Sequence, residues 1–135
     1  MDTIRVLVAD DHDIVRSTIA GMLRSMDGVD VVAEARNGID AVSEAQRTSP
    51  DLVLLDVHMP GANGYEAAAL IKSSVPTARV AIMSVSNGTL YERNAVNVNA
   101  DAFIEKSSLR SGIKKLLADF RMNVQPEVAA ALGAF

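Results

Sequence analysis

Short β-branched runs alternate along this chain with longer stretches in which apolar residues recur at helical spacing, and that alternation predicts strand–helix–strand units around a parallel sheet. Ile4 to Ala9 reads as a first strand, followed by a helix near Ile14 to Met26 whose Val15, Ile19, Met22 and Met26 should face the sheet. Asp27-Gly28 stops that helix, Val29 to Ala33 forms the second strand, and Asn37-Gly38 opens a helix ending near Thr48. After Ser49-Pro50, Leu52 to Asp56 has the unbroken apolar interior of a central strand covered on both faces. Met59 to Gly64 is loop, and Tyr65 to Ser74 is alanine-rich and helical.

The second half repeats the scheme. Arg79 to Met83 is a strand ending on Ser84, and Leu90 to Val98 is a weak helix carrying Asn94 and Asn97. Asn99 reverses the chain into a fifth strand, Ala102 to Glu105, since asparagine tolerates the left-handed conformation. Ser107-Ser108 should cap a last helix with Leu109, Ile113, Leu116 and Phe120 on one side and Arg110, Lys114 and Lys115 on the other. Gln125-Pro126 breaks it. The expected division is one domain over residues 1–122, with 123–135 a C-terminal tail or truncated linker.

Composition agrees with one domain: 135 residues with 49% hydrophobic and 22% charged suit a soluble globular unit with a real core. A net charge of −4 argues against direct nucleic-acid binding by this segment. No apolar run is long enough to cross a bilayer, so no membrane partner is expected. Zero cysteines remove disulfides and thiol chemistry, and nothing at the start resembles a secretion signal, so the expected location is cytoplasmic.

The candidate chemistry lies at strand ends. In an open parallel sheet the carboxyl ends share one edge, so Asp10-Asp11, Asp56 and Lys106 should converge there. Clustered carboxylates suit a hard cation such as Mg2+, and the cation with Lys106 would offset the three negative charges, leaving Asp56 an ionised nucleophile for phosphoryl transfer. Ser84, at a neighbouring strand end, offers a hydroxyl to a phosphoryl oxygen. Each residue also has a plainer reading: Asp10-Asp11 as the N-cap of the first helix, Lys106 as a solvated lysine, Phe103 as core. His12 and His58 read as loop residues rather than transition-metal ligands.

Taken together, Val8-Ala9-Asp10-Asp11-His12, Leu54-Leu55-Asp56-Val57-His58-Met59-Pro60-Gly61, Met83-Ser84-Val85-Ser86 and Phe103-Ile104-Glu105-Lys106 closely resemble a response-regulator receiver domain of two-component signalling. The likeness runs from Ile4 to about Leu117 and is greatest to receivers that precede a LuxR-type helix-turn-helix. It implies an α/β, doubly wound, five-stranded parallel sheet of flavodoxin-like order 2-1-3-4-5 with helices on both faces. It further implies Asp56 as phosphoacceptor, Asp10, Asp11, Asp56 and the His58 backbone carbonyl as Mg2+ ligands, and Lys106 as the phosphate-pairing lysine. Ser84 and Phe103 become the switch pair. The implied partners are a sensor histidine kinase or phosphotransfer protein and a second copy of the chain in a homodimer. The output would be transcription regulation through the surface of the helix near 90–98, the fifth strand and the last helix.

The resemblance implies a signalling switch rather than a turnover enzyme. Three departures accompany it: Ser84 stands where threonine is common, an accepted variant; Asn99 stands where glycine is usual; and no DNA-binding domain follows the last helix, as in an isolated or a stand-alone receiver. Two other functions compete. Asp11-His12-Asp13 has the Asp-x-Asp form of haloacid-dehalogenase-type phosphatases, with Asp11 as nucleophile and Asp13 as acid, although no late acidic motif or cap insertion accompanies it. A non-phosphorylated interaction module using the last helix is the other.

Overall fold

The computed structural model describes residues 3–85 and 100–123. Five strands form one sheet in the order β2-β1-β3-β4-β5, every pair parallel. The strands are β1 (Ile4–Ala9), β2 (Val29–Ala35), β3 (Leu52–Asp56), β4 (Arg79–Ser84) and β5 (Ala102–Glu105). Helices α1 (Asp13–Arg24), α2 (Gly38–Thr48), α3 (Gly64–Ser74) and a C-terminal helix (Leu109–Asn123) cover both faces, the last entered through a 3-10 turn at Lys106–Ser108. The expected helix near 90–98, the turn at Asn99 and the tail from residue 124 onward lie outside the described residues. Among the described residues no helix is long and apolar enough to cross a membrane.

Strand alternation sorts the core into two layers. Leu7, Val53, Leu55, Val80 and Ile82 face α2 and α3, where Ala41, Ala45, Ala67 and Ala68 bring helix backbone close to the sheet. Val6, Val8, Leu52, Leu54 and Met83 face Ile19 and Leu23 of α1 and Ile113, Leu117 and Phe120 of the C-terminal helix. Every residue of β3 is buried, as a strand between two helical layers requires.

Three expectations shift. The buried face of α1 centres on Ile19, Ala20 and Leu23, while Val15, Met22 and Met26 pack at its border. In the C-terminal helix Leu117 rather than Leu116 is buried with Ile113 and Phe120. β2 runs two residues past Ala33, because the register jumps from Val6↔Val31 to Leu7↔Ala33. Val32 is the extra residue of that bulge, which restores the facing of Ala33 and Ala35 toward α2.

The ladder continues past the strand ends and fixes the backbone that carries the acidic residues. Asp10 N–H donates to the Ala35 carbonyl at 3.1 Å, and Val57 N–H donates to the Met83 carbonyl at 2.9 Å. Behind Asp56 the chain turns tightly into α3. Asn63 and Glu66 form a reciprocal capping box, and Gly64 N–H donates to the Val57 carbonyl at 3.0 Å. A side chain at Gly64 would collide with the Asp56 carbonyl and stand 2.8 Å from Val57 Cα, so the absence of a Cβ lets α3 start directly beneath Asp56.

Candidate functional site

β1, β3 and β5 bring Asp10, Asp56 and Lys106 to the carboxyl edge of the sheet. Lys106 Nζ donates to Asp10 Oδ2 at 2.7 Å and lies 2.9 Å from Asp56 Oδ1. Asp10 is fully buried and the Asp56 side chain is 4% exposed, so the ammonium joins two carboxylates with little water to screen them. Asp11 is exposed at the rim. One donor atom each from Asp10, Asp11, His12 and Asp56 lie within 4.8 Å of one another.

Three carboxylates against one ammonium leave the pocket with two excess negative charges. Burial pushes the Asp56 carboxyl above the ordinary range; Asp10 and Asp11 add to that push, while the Lys106 hydrogen bond and charge oppose it. Burial pulls Lys106 down, but hydrogen bonds and charge from Asp10 and Asp56 outweigh it and hold the ammonium above the usual lysine range. The remaining oxygen of Asp56, Oδ2, is buried without a hydrogen-bond partner among the described residues. An orphaned oxygen in an over-negative, oxygen-rich pocket is a setting a hard dication fits.

The reading of Asp10-Asp11 as an N-cap is overturned. His12 occupies the cap of α1, and its own side chain makes no capping bond. Asp10 instead turns inward, its Oδ1 accepting the His12 N–H at 2.9 Å. The plainer reading of Lys106 also fails, because its side chain is 11% exposed and committed to two carboxylates.

Ser84 ends β4 fully buried, one strand from Asp56. Phe103 is half-buried and packs against the α2/α3 side of the core. His58 is exposed in the loop beyond β3. Asp13 lies outside the pocket, where a hydrogen bond from Arg16 and the charge of Arg36 hold its carboxyl below the usual range. An acid kept ionised is a poor proton donor, which disfavours the phosphatase roles for Asp11 and Asp13.

One neighbour of the site, Arg16, escaped the sequence reading, and a second, His12, was read there only as a loop residue. Arg16 Nη1 donates to the Asp10 carbonyl at 2.8 Å, tying the strand end to α1. Its place one turn into the helix after the acidic pair was the available signal. The ring of His12 stands against both adjacent carboxylates, with Nδ1 3.0 Å from Asp11 Oδ1 and 3.2 Å from Asp10 Oδ1.

A doubly wound sheet with a lysine-bridged acidic pocket at its carboxyl edge defines a flavodoxin-like domain whose ionic cluster sits at its topological switch point. The chain belongs to the response regulator receiver domain family, whose match covers residues 6–124. It is 33% identical over 132 residues to the transcriptional regulatory protein LnrK of Bacillus subtilis, covering 96% of this chain and 60% of LnrK. Among solved structures it resembles the signal receiver domain assigned to NarL of Mycobacterium tuberculosis, with a TM-score of 0.84, 32% identity and coverage of 91% of this chain and 99% of that one. It also resembles a LuxR-family two-component response regulator from Aurantimonas sp., with a TM-score of 0.79, 30% identity and 87% of each chain covered. The chain thus spans about 60% of the length of LnrK.

Proposed function

We propose that this receiver accepts a phosphoryl group on Asp56 from a sensor histidine kinase or phosphotransfer protein and passes the change to an output domain or partner. The observation that carries this reading is the Lys106 bridge between Asp10 and Asp56, beside a buried Asp56 oxygen that has no hydrogen-bond partner among the described residues. One carboxylate oxygen of Asp56 attacks the phosphorus of a phosphohistidine, the P–N bond breaks with its electron pair passing to the ring nitrogen, and that nitrogen takes a proton from solvent. The product is an acyl phosphate. Water later attacks the same phosphorus, the P–O bond to Asp56 breaks, and inorganic phosphate leaves with the carboxylate restored, which makes the state self-limiting.

Lys106 then exchanges its contact with Asp56 for one with the phosphoryl oxygens while keeping Asp10, which holds the ammonium in place throughout. Asp10, Asp11, Asp56 and the His58 carbonyl would hold Mg2+, which supplies positive charge for the equatorial oxygens when bound. Ser84 donates its hydroxyl to the phosphoryl group, and Phe103 repacks with it, altering the surface of β5 and the C-terminal helix. The domain unit is taken as residues 1–122, with a cytoplasmic location.

The test is stoichiometric. With Mg2+ and a small phosphodonor the chain should gain one base-labile phosphoryl group, lost from Asp56→Asn and abolished by chelator. Labelling of Asp56→Asn to the wild-type extent, or continuous multiple turnover of a phosphomonoester, would overturn the reading.

A further inference from the structure

The pocket contains one nitrogen donor to which the proposed function gives no task. His12 Nδ1 stands 3.0 Å from Asp11 Oδ1 and 3.2 Å from Asp10 Oδ1. Two donors each about 2.1 Å from a shared first-row ion are roughly 3.0 Å apart at a right angle and roughly 3.4 Å apart at the tetrahedral angle. The observed separations therefore suit ligands of one ion as well as they suit a hydrogen bond. The ring is not committed to the helix, since the side chain of this N-cap residue bonds no backbone N–H. A backbone bond holds the residue in place, His12 N–H to Asp10 Oδ1 at 2.9 Å.

A second observation points to a cation independently of the histidine. Asp56 is 3% exposed and its Oδ2 has no hydrogen-bond partner among the described residues. Its carboxylate also belongs to the set whose donor atoms, His12 included, gather within 4.8 Å.

We propose that His12 is an imidazole ligand of this cation site, so that the chain binds first-row ions such as cobalt(II) and zinc(II) through a contact it does not use for magnesium. The inference rests on the reading of Asp10, Asp11 and Asp56 as a cation site and adds the choice of ion. Magnesium demands oxygen ligands and sheds water reluctantly, whereas imidazole favours the later first-row metals. His12 therefore widens the acceptance of the pocket without altering the oxygen set. Zinc and magnesium would then compete for one place, and the proportion of chains in each form would follow the supply of the two ions.

The experiment titrates the tag-free chain with cobalt(II) and separately with magnesium, in wild type, His12→Ala and His12→Asn. The readouts are the visible cobalt absorption band and the thermal midpoint. Because His12 is exposed, both variants should fold, with unchanged far-ultraviolet dichroism as the check. Cobalt affinity should weaken at least about tenfold in both, the least that loss of even an outer-shell partner commonly costs, and magnesium affinity should stay within about twofold. Cobalt binding unaffected by either substitution, or equal weakening for both ions, would overturn the inference alone. So would a nitrogen-ligated cobalt band surviving in His12→Ala, because it would assign the imidazole to His58, the only other histidine. Failure of the wild type to bind either ion would overturn the cation site as well.

Discussion

Replacing Lys106 by methionine keeps much of the bulk of the side chain and removes the charge between Asp10 and Asp56. Two carboxylates with side-chain exposures of 0% and 4% would then face one another without their ammonium. Breaking a buried ion pair costs about 3–5 kcal/mol. A carboxylate has an escape, which is to take up a proton, and that caps the loss. Protonating an aspartate of ordinary pKa, about 3.9, costs about 1.4 kcal/mol per pH unit above that value, hence roughly 4 kcal/mol at pH 7 and roughly 1.5 kcal/mol at pH 5.

The sign follows from proton counting. The folded variant holds a proton that the unfolded chain has released, so its stability falls as pH rises above the unfolded pKa, until the folded pKa is passed. Wild-type Asp56, itself raised by burial, has a slope of the same sign, and the variant should be steeper. Urea denaturation in magnesium-free buffer measures this directly. With a slope near 2 kcal/mol per molar, the variant midpoint should fall about 2 M below wild type at pH 7 and less than about 1 M below it at pH 5. An equal loss at both pH values, or none at pH 7, would refute the buried charge bridge.

Magnesium at a hundredfold excess over its Kd should stabilise the wild-type chain by about 2.7 kcal/mol, seen as a raised melting midpoint that is sharply reduced in Asp11→Asn. Gly64→Ala should destabilise by about 1–3 kcal/mol and slow phosphorylation, because the new Cβ meets the Asp56 carbonyl and Val57 Cα; a stable variant with the wild-type rate would contradict that geometry. Asn63→Ala removes the capping box of α3 and should cost about 1 kcal/mol in denaturant titrations, with magnesium affinity unchanged.

Much of the fold was legible because the strands are buried on both faces. β1, β3 and β5 have the expected limits, since an unbroken apolar run bounded by charge or turn residues offers few alternatives. β2 was harder: the bulge at Val32 breaks the two-residue alternation, and only pairing with β1 shows where the strand resumes. The expected stripe of α1, Val15, Ile19, Met22 and Met26, does pack on this layer, with Ile19 and Leu23 the most deeply buried. Helical spacing admits neighbouring stripes, and the sheet beneath selects Ile19 and Leu23.

The convergence of Asp10, Asp56 and Lys106 was legible for a topological reason, since parallel strands bring their carboxyl ends to one edge. The finer contacts were not. The ring of His12, the guanidinium of Arg16 on the Asp10 carbonyl, and the inward turn of Asp10 away from the helix cap are rotamer choices, decided by neighbours that sequence order does not reveal.

The central claim is that the Asp56 carboxylate is the atom group that takes the phosphoryl. After brief exposure to Mg2+ and a small phosphodonor, borohydride reduction converts an acyl phosphate to an alcohol, and peptide mass spectrometry locates the altered residue. The account predicts one reduced aspartate per chain, at Asp56. Reduction at Asp11 or Asp13, with Asp56 intact, would contradict it.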